Sequence, residues 1–287
     1  MIWFLLSLAA AISIAARDVS IKTYEDLAPP EIALLELFWA VPYFLLGFIL
    51  VETPSLDQTF WWTFILSIPL NFSAYVLYLY AIKLSPISLA VPFLAFTPAF
   101  MILTGFFILG ETINIWGGVG ISLIVLGGYV LHCKKKQANF FTPFSAFLHE
   151  KGSWFMLIVA ILFAFAAVIG KKAILHSSPL FFSYTFFLVF NITVLAGLLL
   201  GGKKDWKKIL RNTPRGIWLG SLLMMHISFH GLAIALSTAV YMVAVKRSSI
   251  LFSVFLSWFI LKETDIRYRG FGTVLMFVGM LFITILG

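Results

Sequence analysis

Charge is scarce in this chain. Of 287 residues, 11% are charged and 61% are hydrophobic, whereas a soluble domain carries about 25% charged residues. So little polar material cannot cover a water-soluble globule, so the composition excludes a soluble fold and points to a polytopic membrane protein. Cysteine is scarcer still. The single Cys133 excludes an internal disulfide and any Cys-based metal site. The chain has 12 acidic against 20 basic residues and a formal charge of +8. In a soluble protein that surplus would suggest nucleic acid. In so apolar a chain it reads as loop charge that sets topology, and no nucleic-acid partner is expected. There is no ATP-binding loop, so direct ATP coupling would need a partner chain, and neither cofactor nor metal is expected. The first apolar segment lacks a basic leader and carries Arg17 and Asp18, which argues against a cleaved signal peptide.

Ten apolar stretches are expected to be helices, at approximately 2–22, 31–51, 60–82, 87–109, 115–132, 154–174, 180–201, 216–236, 238–261 and 269–286. Most have about the length that spans a bilayer with modest tilt. The longest polar interruption, KKKQANFFTPFSAFLHEK, divides them five and five. The expected organisation is therefore a first unit at 1–133, a basic connector at 134–152 and a second unit at 153–287. A shift of 152 positions lays Ala81–Leu131 on Ala233–Ile283. Leu84/Leu236, Ser85/Ser237, Phe100/Phe252, Phe107/Phe259, Ile108/Ile260 and Leu109/Leu261 then match, as do Glu111/Glu263, Thr112/Thr264, Gly118/Gly270, Gly120/Gly272 and Gly127/Gly279. An odd number of spans per unit implies that the halves insert upside down relative to each other. Inverted repeats around a midplane site are a transporter architecture. The fold expected is thus all-α, with ten transmembrane helices in two inverted five-helix repeats.

The run Ala81-Ile-Lys-Leu-Ser-Pro86, the Pro-containing span after it, Phe-Ile-Leu-Gly-Glu-Thr at 107–112, the Gly-rich span that follows and Phe-Ile-Leu-Lys-Glu-Thr at 259–264 carry a resemblance. The chain resembles the EamA branch of the drug/metabolite transporter superfamily over essentially its whole length. That resemblance implies ten spans in two inverted repeats. It leaves the substrate open among sugars, amino acids, nucleotide sugars, phosphorylated metabolites and drugs.

The halves differ in charge. Lys246 and Arg247 lie inside the ninth stretch, where the first half has Leu94 and Ala95. They sit about 14 Å along a helix begun at Ser237, at roughly 1.5 Å per residue. A cation at such depth costs roughly 2.5–3.5 kcal/mol even on the more lenient insertion scale. Such residues face a bundle interior or a water-filled cavity, so the pair is expected to meet an anionic substrate group. Arg offers a bidentate grip and Lys a point charge. The resemblance adds that phosphate-metabolite translocators of the same superfamily hold phosphate with a Lys-Arg pair on the matching helix. Lys246, Ser249, Ser253 and Ser257 share one face at helical spacing, as a polar path or as small residues for close packing. Pro92 and Pro98 are expected to kink the fourth span.

Further candidates have plainer alternatives. Glu36 is a counter-charge for Lys246, Arg247 or Arg17, or part of a structural ion pair. Asp18 can pair with Lys22 four residues on, and both Arg17 and Asp18 lie near enough to a span end to snorkel. Lys22 aligns with Lys171 in the link before span seven, which reads as anchoring. His226 and His230 share a face. They suit proton sensing, weak metal binding or plain hydrogen bonding in an apolar bundle. Asn71, Tyr75 and Tyr78 follow helical spacing on span three and either contact substrate or pack, as do Asn191 and Tyr241.

The leading expectation is a secondary transporter of a small anionic or zwitterionic metabolite working by alternating access. Lys246, Arg247, Ser249, Ser253, Tyr75, Tyr78, Asn71, His226 and His230 are the substrate-binding candidates, and Glu36, Asp18 and Arg17 the coupling or counter-charge candidates. One alternative is proton-coupled export of cationic or lipophilic compounds through Asp18 or Glu36. Another is a non-transporting sensor or assembly subunit, although no soluble domain or coiled coil exists to transmit a signal. An intramembrane enzyme is disfavoured, because the histidines lack an adjacent Glu and Asp18 lacks a second intramembrane aspartate. The expected partners are substrate, bilayer and a coupling proton or ion, in a monomer or weak homodimer of the prokaryotic cytoplasmic (inner) membrane. Orientation is contested. The odd-numbered loops hold nearly all the Lys and Arg, which places both termini outside the cytoplasm, whereas the superfamily keeps both inside. A C-terminal reporter active only outside the cytoplasm is expected to be active, and a silent one would reverse the orientation.

Overall fold

The computed structural model describes residues 1–84, 91–132, 151–200, 206–261 and 266–287, and every regular element among them is helical. In chain order these are α1 (Ile2–Lys22), α2 (Pro29–Leu50), α3 (Gln58–Leu84), a 3-10 turn (Val91–Phe96), α4 (Thr97–Leu109), α5 (Ile115–His132), α6 (Lys151–Leu175), α7 (Pro179–Leu200), the short α8 (Trp206–Arg211), α9 (Thr213–Ala235), α10 (Ala239–Lys246), α11 (Ser249–Leu261) and α12 (Ile266–Ile285). Helix is the natural form for such runs. In lipid every backbone polar group must be satisfied within the segment, and apolar residues surround most of these helices rather than lining one stripe. Local signals set the ends. Pro29 and Pro30 open α2, with the Glu31 carboxylate accepting from Ala28 N at 2.8 Å. Asp57 Oδ1 accepts from Phe60 N at 2.8 Å ahead of α3. That bond, with one from His176, holds the Asp57 carboxyl below its usual range. Gly110 closes α4 in the left-handed conformation, at φ 68°.

Six helices are long and apolar enough to cross a membrane: Ile2–Lys22, Pro29–Leu50, Gln58–Tyr78, Lys151–Leu175, Pro179–Leu199 and Thr213–Ala235. Phe93–Leu109, Ile115–Val130 and Phe271–Ile285 are shorter apolar helices. Large side chains such as Leu46, Ile49, Trp62, Phe107 and Phe271 point outward, as a lipid-facing surface requires. The chain is an integral multi-pass membrane protein.

Two expected spans are interrupted. The described part of the fourth opens with the 3-10 turn and turns α-helical at Thr97, with Pro98 in the first helical turn. That matches the break expected from its prolines. The ninth was expected to be one helix over 238–261 but ends at Lys246 and restarts at Ser249. No proline causes this. Ser248 N and Ile250 N bond back three residues, to Val245 O at 2.9 Å and Arg247 O at 3.1 Å, so the backbone tightens without losing its partners. The break leaves Lys246 and Arg247 at a helix C-terminus, whose partial negative charge favours cations.

The two ends of the molecule carry different contacts. At one lie both chain termini, where Asn114 Nδ2 donates to Leu286 O at 2.5 Å and His176 pairs with Asp57 at 2.6 Å. At the other, Lys208 meets Glu31 and Arg215 meets Asp26, each at 2.6 Å. Between them α3 packs on α6, α1 on α9 and α11, and α2 on α7 and α9. The largest core cluster surrounds α10, whose residues from Ala239 to Val245 are all buried.

α5 packs along α12 through glycines. A Cβ on Gly120 would stand 2.7 Å from Gly279 O, and one on Gly279 would stand 2.6 Å from Gly120 O. A Cβ on Gly127 would stand 2.7 Å from Gly272 O. The backbones therefore touch at two points with no room for a side chain, the small-residue packing that lipid favours. Gly279→Val is expected to lower stability by at least the ~1–3 kcal/mol typical of overpacking. A thermal midpoint equal to that of the parent protein in detergent would contradict this close approach.

Candidate functional site

A cavity of about 480 Å³ lies among α1, α3, α4, α6, α7, α9 and α10. Arg17, Lys171, Lys246 and Arg247 line it, together with His226 and His230. No Asp or Glu does so among the described residues. Polar neutral groups come from Ser67, Asn71, Tyr75, Thr97 and Ser183, and aromatic surface from Phe163 and from Phe182, Phe186, Phe187 and Phe190 of α7. Most of the lining residues belong to the middle of the spans and the half nearer the termini, while Arg17 and Tyr75 lie beyond the middle on the other side.

Lys246 and Arg247 reach the cavity because α10 ends there. Lys246 Nζ lies 2.9 Å from His230 Nδ1, as donor to the ring nitrogen, and an Arg247 terminal nitrogen donates to Thr97 Oγ1 at 3.1 Å. Neither cation has a carboxylate within 4 Å among the described residues. Arg247 Nε and His226 Nε2 are buried without a partner among the described residues. The two histidine rings stand 6.1 Å apart. No group of three or more His, Cys, Asp and Glu that could hold a metal occurs among the described residues, and the Lys246 ammonium already engages the ring nitrogen of His230.

The other two cations are paired. Arg17 binds Glu36 with two nitrogens, one of them at 2.8 Å from Oε2, and Asp18 lies 3.4 Å from Arg17. Glu36 is 4% exposed and answers Arg17 in this conformation, rather than Lys246 or Arg247. Lys171 binds Glu111 and also donates to Ser237 O at 2.5 Å. Lys171 was expected in a link as a membrane anchor. It lies within α6, 7% exposed, and lines the cavity. Glu111 in turn accepts from Ala239 N at 2.9 Å, at the first residue of α10, where a carboxylate complements the helix dipole. The Arg17–Glu36 pair sits towards the end of the molecule carrying residues 22–29, and Lys171–Glu111 towards the end carrying the termini. Each joins a cavity-lining cation to a carboxylate outside the cavity.

Seven of the twelve expected site residues line the cavity: Arg17, Asn71, Tyr75, His226, His230, Lys246 and Arg247. Asp18 and Glu36 stand behind Arg17. Tyr78 packs in the cluster formed around Ala74, Ala81 and Met156 instead of facing the cavity. Ser249 and Ser253 do not line it either. The break after Lys246 ends the single helical face that would have carried them, and α11 packs on α1. The Ser257 side chain, Glu263, Thr264 and the connector at 134–150 lie outside the described residues. The Tyr241 hydroxyl accepts from Asn114 N at 3.3 Å, a packing role, and Asn191 Nδ2 is buried without a partner among the described residues. Sequence reasoning missed Glu111 as a partner of Lys171. The available signal was a carboxylate in the repeated Glu-Thr pair, close to the end of an apolar run.

The family model of the EamA-like transporter family matches residues 1–132 and 150–285. No curated protein matches the chain. One solved crystal structure of a protein is similar, with a TM-score of 0.73 at 14% identity, over 99% of this chain and 98% of that one, a likeness that bears on the fold alone.

Breaking a buried ion pair by removing one partner typically costs ~3–5 kcal/mol, because the other charge is left uncompensated. Glu111→Leu is accordingly expected to lower the thermal midpoint sharply, and so is Lys171→Met, while the two combined recover most of the loss. Additive losses in that double-mutant cycle would show that the two side chains do not interact.

Proposed function

The chain belongs to the EamA-like transporter family, membrane transporters of the drug/metabolite type, and on that premise we propose that it is a secondary transporter moving a small organic anion or zwitterion by alternating access. One observation carries the reading. Among the described residues, the central cavity presents Lys246 and Arg247 with no carboxylate to answer them and no acidic side chain in its lining. A buried cation pair of that kind is costly unless an anion visits it. Arg247 then grips the anionic group, Lys246 adds charge, and His230, Asn71 and Tyr75 orient the remainder. The second reading, export of cations through Asp18 or Glu36, finds both acids engaged with Arg17 outside the cavity lining.

Ten spans in two inverted repeats, at 1–133 and 153–287, belong to the same proposal. The two matched stretches of the family model support it. So does the α5–α12 contact, in which Gly120 meets Gly279 and Gly127 meets Gly272. Exchanging each glycine for its partner under the 152-residue shift turns one contact into the other, as a two-fold axis requires. The interruptions of spans four and nine support it too, since they fall within a residue of each other under the same shift. The two ion pairs are then the contacts that alternate. Lys171–Glu111 closes the cavity at the end of the termini, Arg17–Glu36 narrows it at the other, and one opens at a time.

Lys246→Glu is expected to abolish flux in proteoliposomes while leaving membrane insertion and monodispersity unchanged. Parental flux in that variant would remove Lys246 from the substrate site.

A further inference from the structure

The body of the cargo is also written into the cavity wall. Phe182, Phe186 and Phe190 follow each other at four-residue spacing on α7 and line the cavity together. Their rings are parallel, with 15° between planes at each step and centroids 5.4 Å and 6.0 Å apart. Rings stacked along a helix turn their faces to one another and their rims sideways. Phe64 meets Phe186 at 83°, and Tyr75 meets Phe190 at 88°, so the ladder is braced edge-on as well. The rim is the positive part of an aromatic quadrupole and the face the negative part. The cavity thus combines cations with aromatic rims, and both attract an electron-rich π face.

The lining also excludes something. An ammonium group would enter a space bordered by Arg17, Lys171, Lys246 and Arg247, with no carboxylate in the described lining to receive it. Glu36 and Glu111, the acids that bind two of these cations, already serve Arg17 and Lys171. A volume of about 480 Å³ lies within the ~300–1,000 Å³ usual for small-molecule sites.

We propose that the cargo is an aromatic carboxylate without an ammonium group, an aryl or arylalkyl acid rather than an amino acid. Its carboxylate lies at Lys246 and Arg247, its ring against the rims of Phe182, Phe186 and Phe190, and any keto or hydroxyl oxygen near Asn71 or Ser183. This rests on the transport reading above and narrows its anion-or-zwitterion alternative to the anion.

The test uses three probes: phenylpyruvate, pyruvate, which lacks the ring, and L-phenylalanine, which carries an ammonium in place of the keto oxygen. Affinities for the purified full-length protein come from ligand-dependent thermal stabilisation, and flux from counterflow in proteoliposomes. Phenylpyruvate is expected to bind about tenfold or more tighter than either of the others, the scale set by a lost apolar contact or an unanswered polar group. Phe190→Leu, a half-buried position that keeps its apolar character, is expected to reduce the preference for phenylpyruvate over pyruvate about fivefold or more. Lys246→Gln is expected to weaken both acids. Equal affinity for pyruvate and phenylpyruvate, or binding of L-phenylalanine as tight as that of phenylpyruvate, overturns the cargo assignment and leaves anion transport standing. Binding of neither acid, together with flux of a cationic dye, overturns the anion reading and this proposal with it.

Discussion

Glu111 receives two donors that arrive from different parts of the chain, the Lys171 ammonium from α6 and the Ala239 N–H at the start of α10. Both are buried, so water cannot compensate for either, and a carboxylate between them answers a charge and a helix dipole at once. The position of α10 follows from that contact. Its seven residues Ala239 to Val245 are enclosed by the main core cluster, and at its far end stand the two cations on which the cavity is built. A shift of the Glu111 carboxylate would move the whole short helix and Lys246 with it.

The helix break is the second element of that construction. A continuous span nine would carry Lys246 and Arg247 on a helix flank, facing neighbours at about 100° to each other. Ending α10 there puts both at a C-terminal end, where carbonyl dipoles offset part of the charge. It also lets the Arg247 fork reach Thr97 on α4 while Lys246 reaches His230 on α9. Neutral partners hold the two side chains in place without cancelling their charge. That difference separates them from Arg17 and Lys171, whose carboxylates neutralise them.

Near-symmetric packing and asymmetric charge therefore coexist. The glycine contacts of α5 with α12 are exchanged by the repeat shift, and such contacts tolerate no side chain on either partner. The charges have no such mate, since Leu94 and Ala95 stand where the second half has Lys246 and Arg247. A scaffold able to rock between two arrangements needs the first property, and a cavity that recognises one end of a ligand needs the second.

Much of this was legible in composition and spacing. A charge content of 11% determined a membrane protein, because the bilayer punishes unpaired polar groups wherever they fall. The 152-residue self-match underlies the proposal of two related halves. Lys246 and Arg247 stood out because a cation in an apolar run has a cost that does not depend on its neighbours. The partners were decided by the tertiary structure alone. Glu36 had three cations to choose from and took Arg17, Lys171 proved to be a buried cavity residue, and Ser249 and Ser253 lost their place when α10 ended at Lys246. Each of those outcomes depends on distances between segments far apart in sequence, and hydrophobic periodicity along one helix does not contain them.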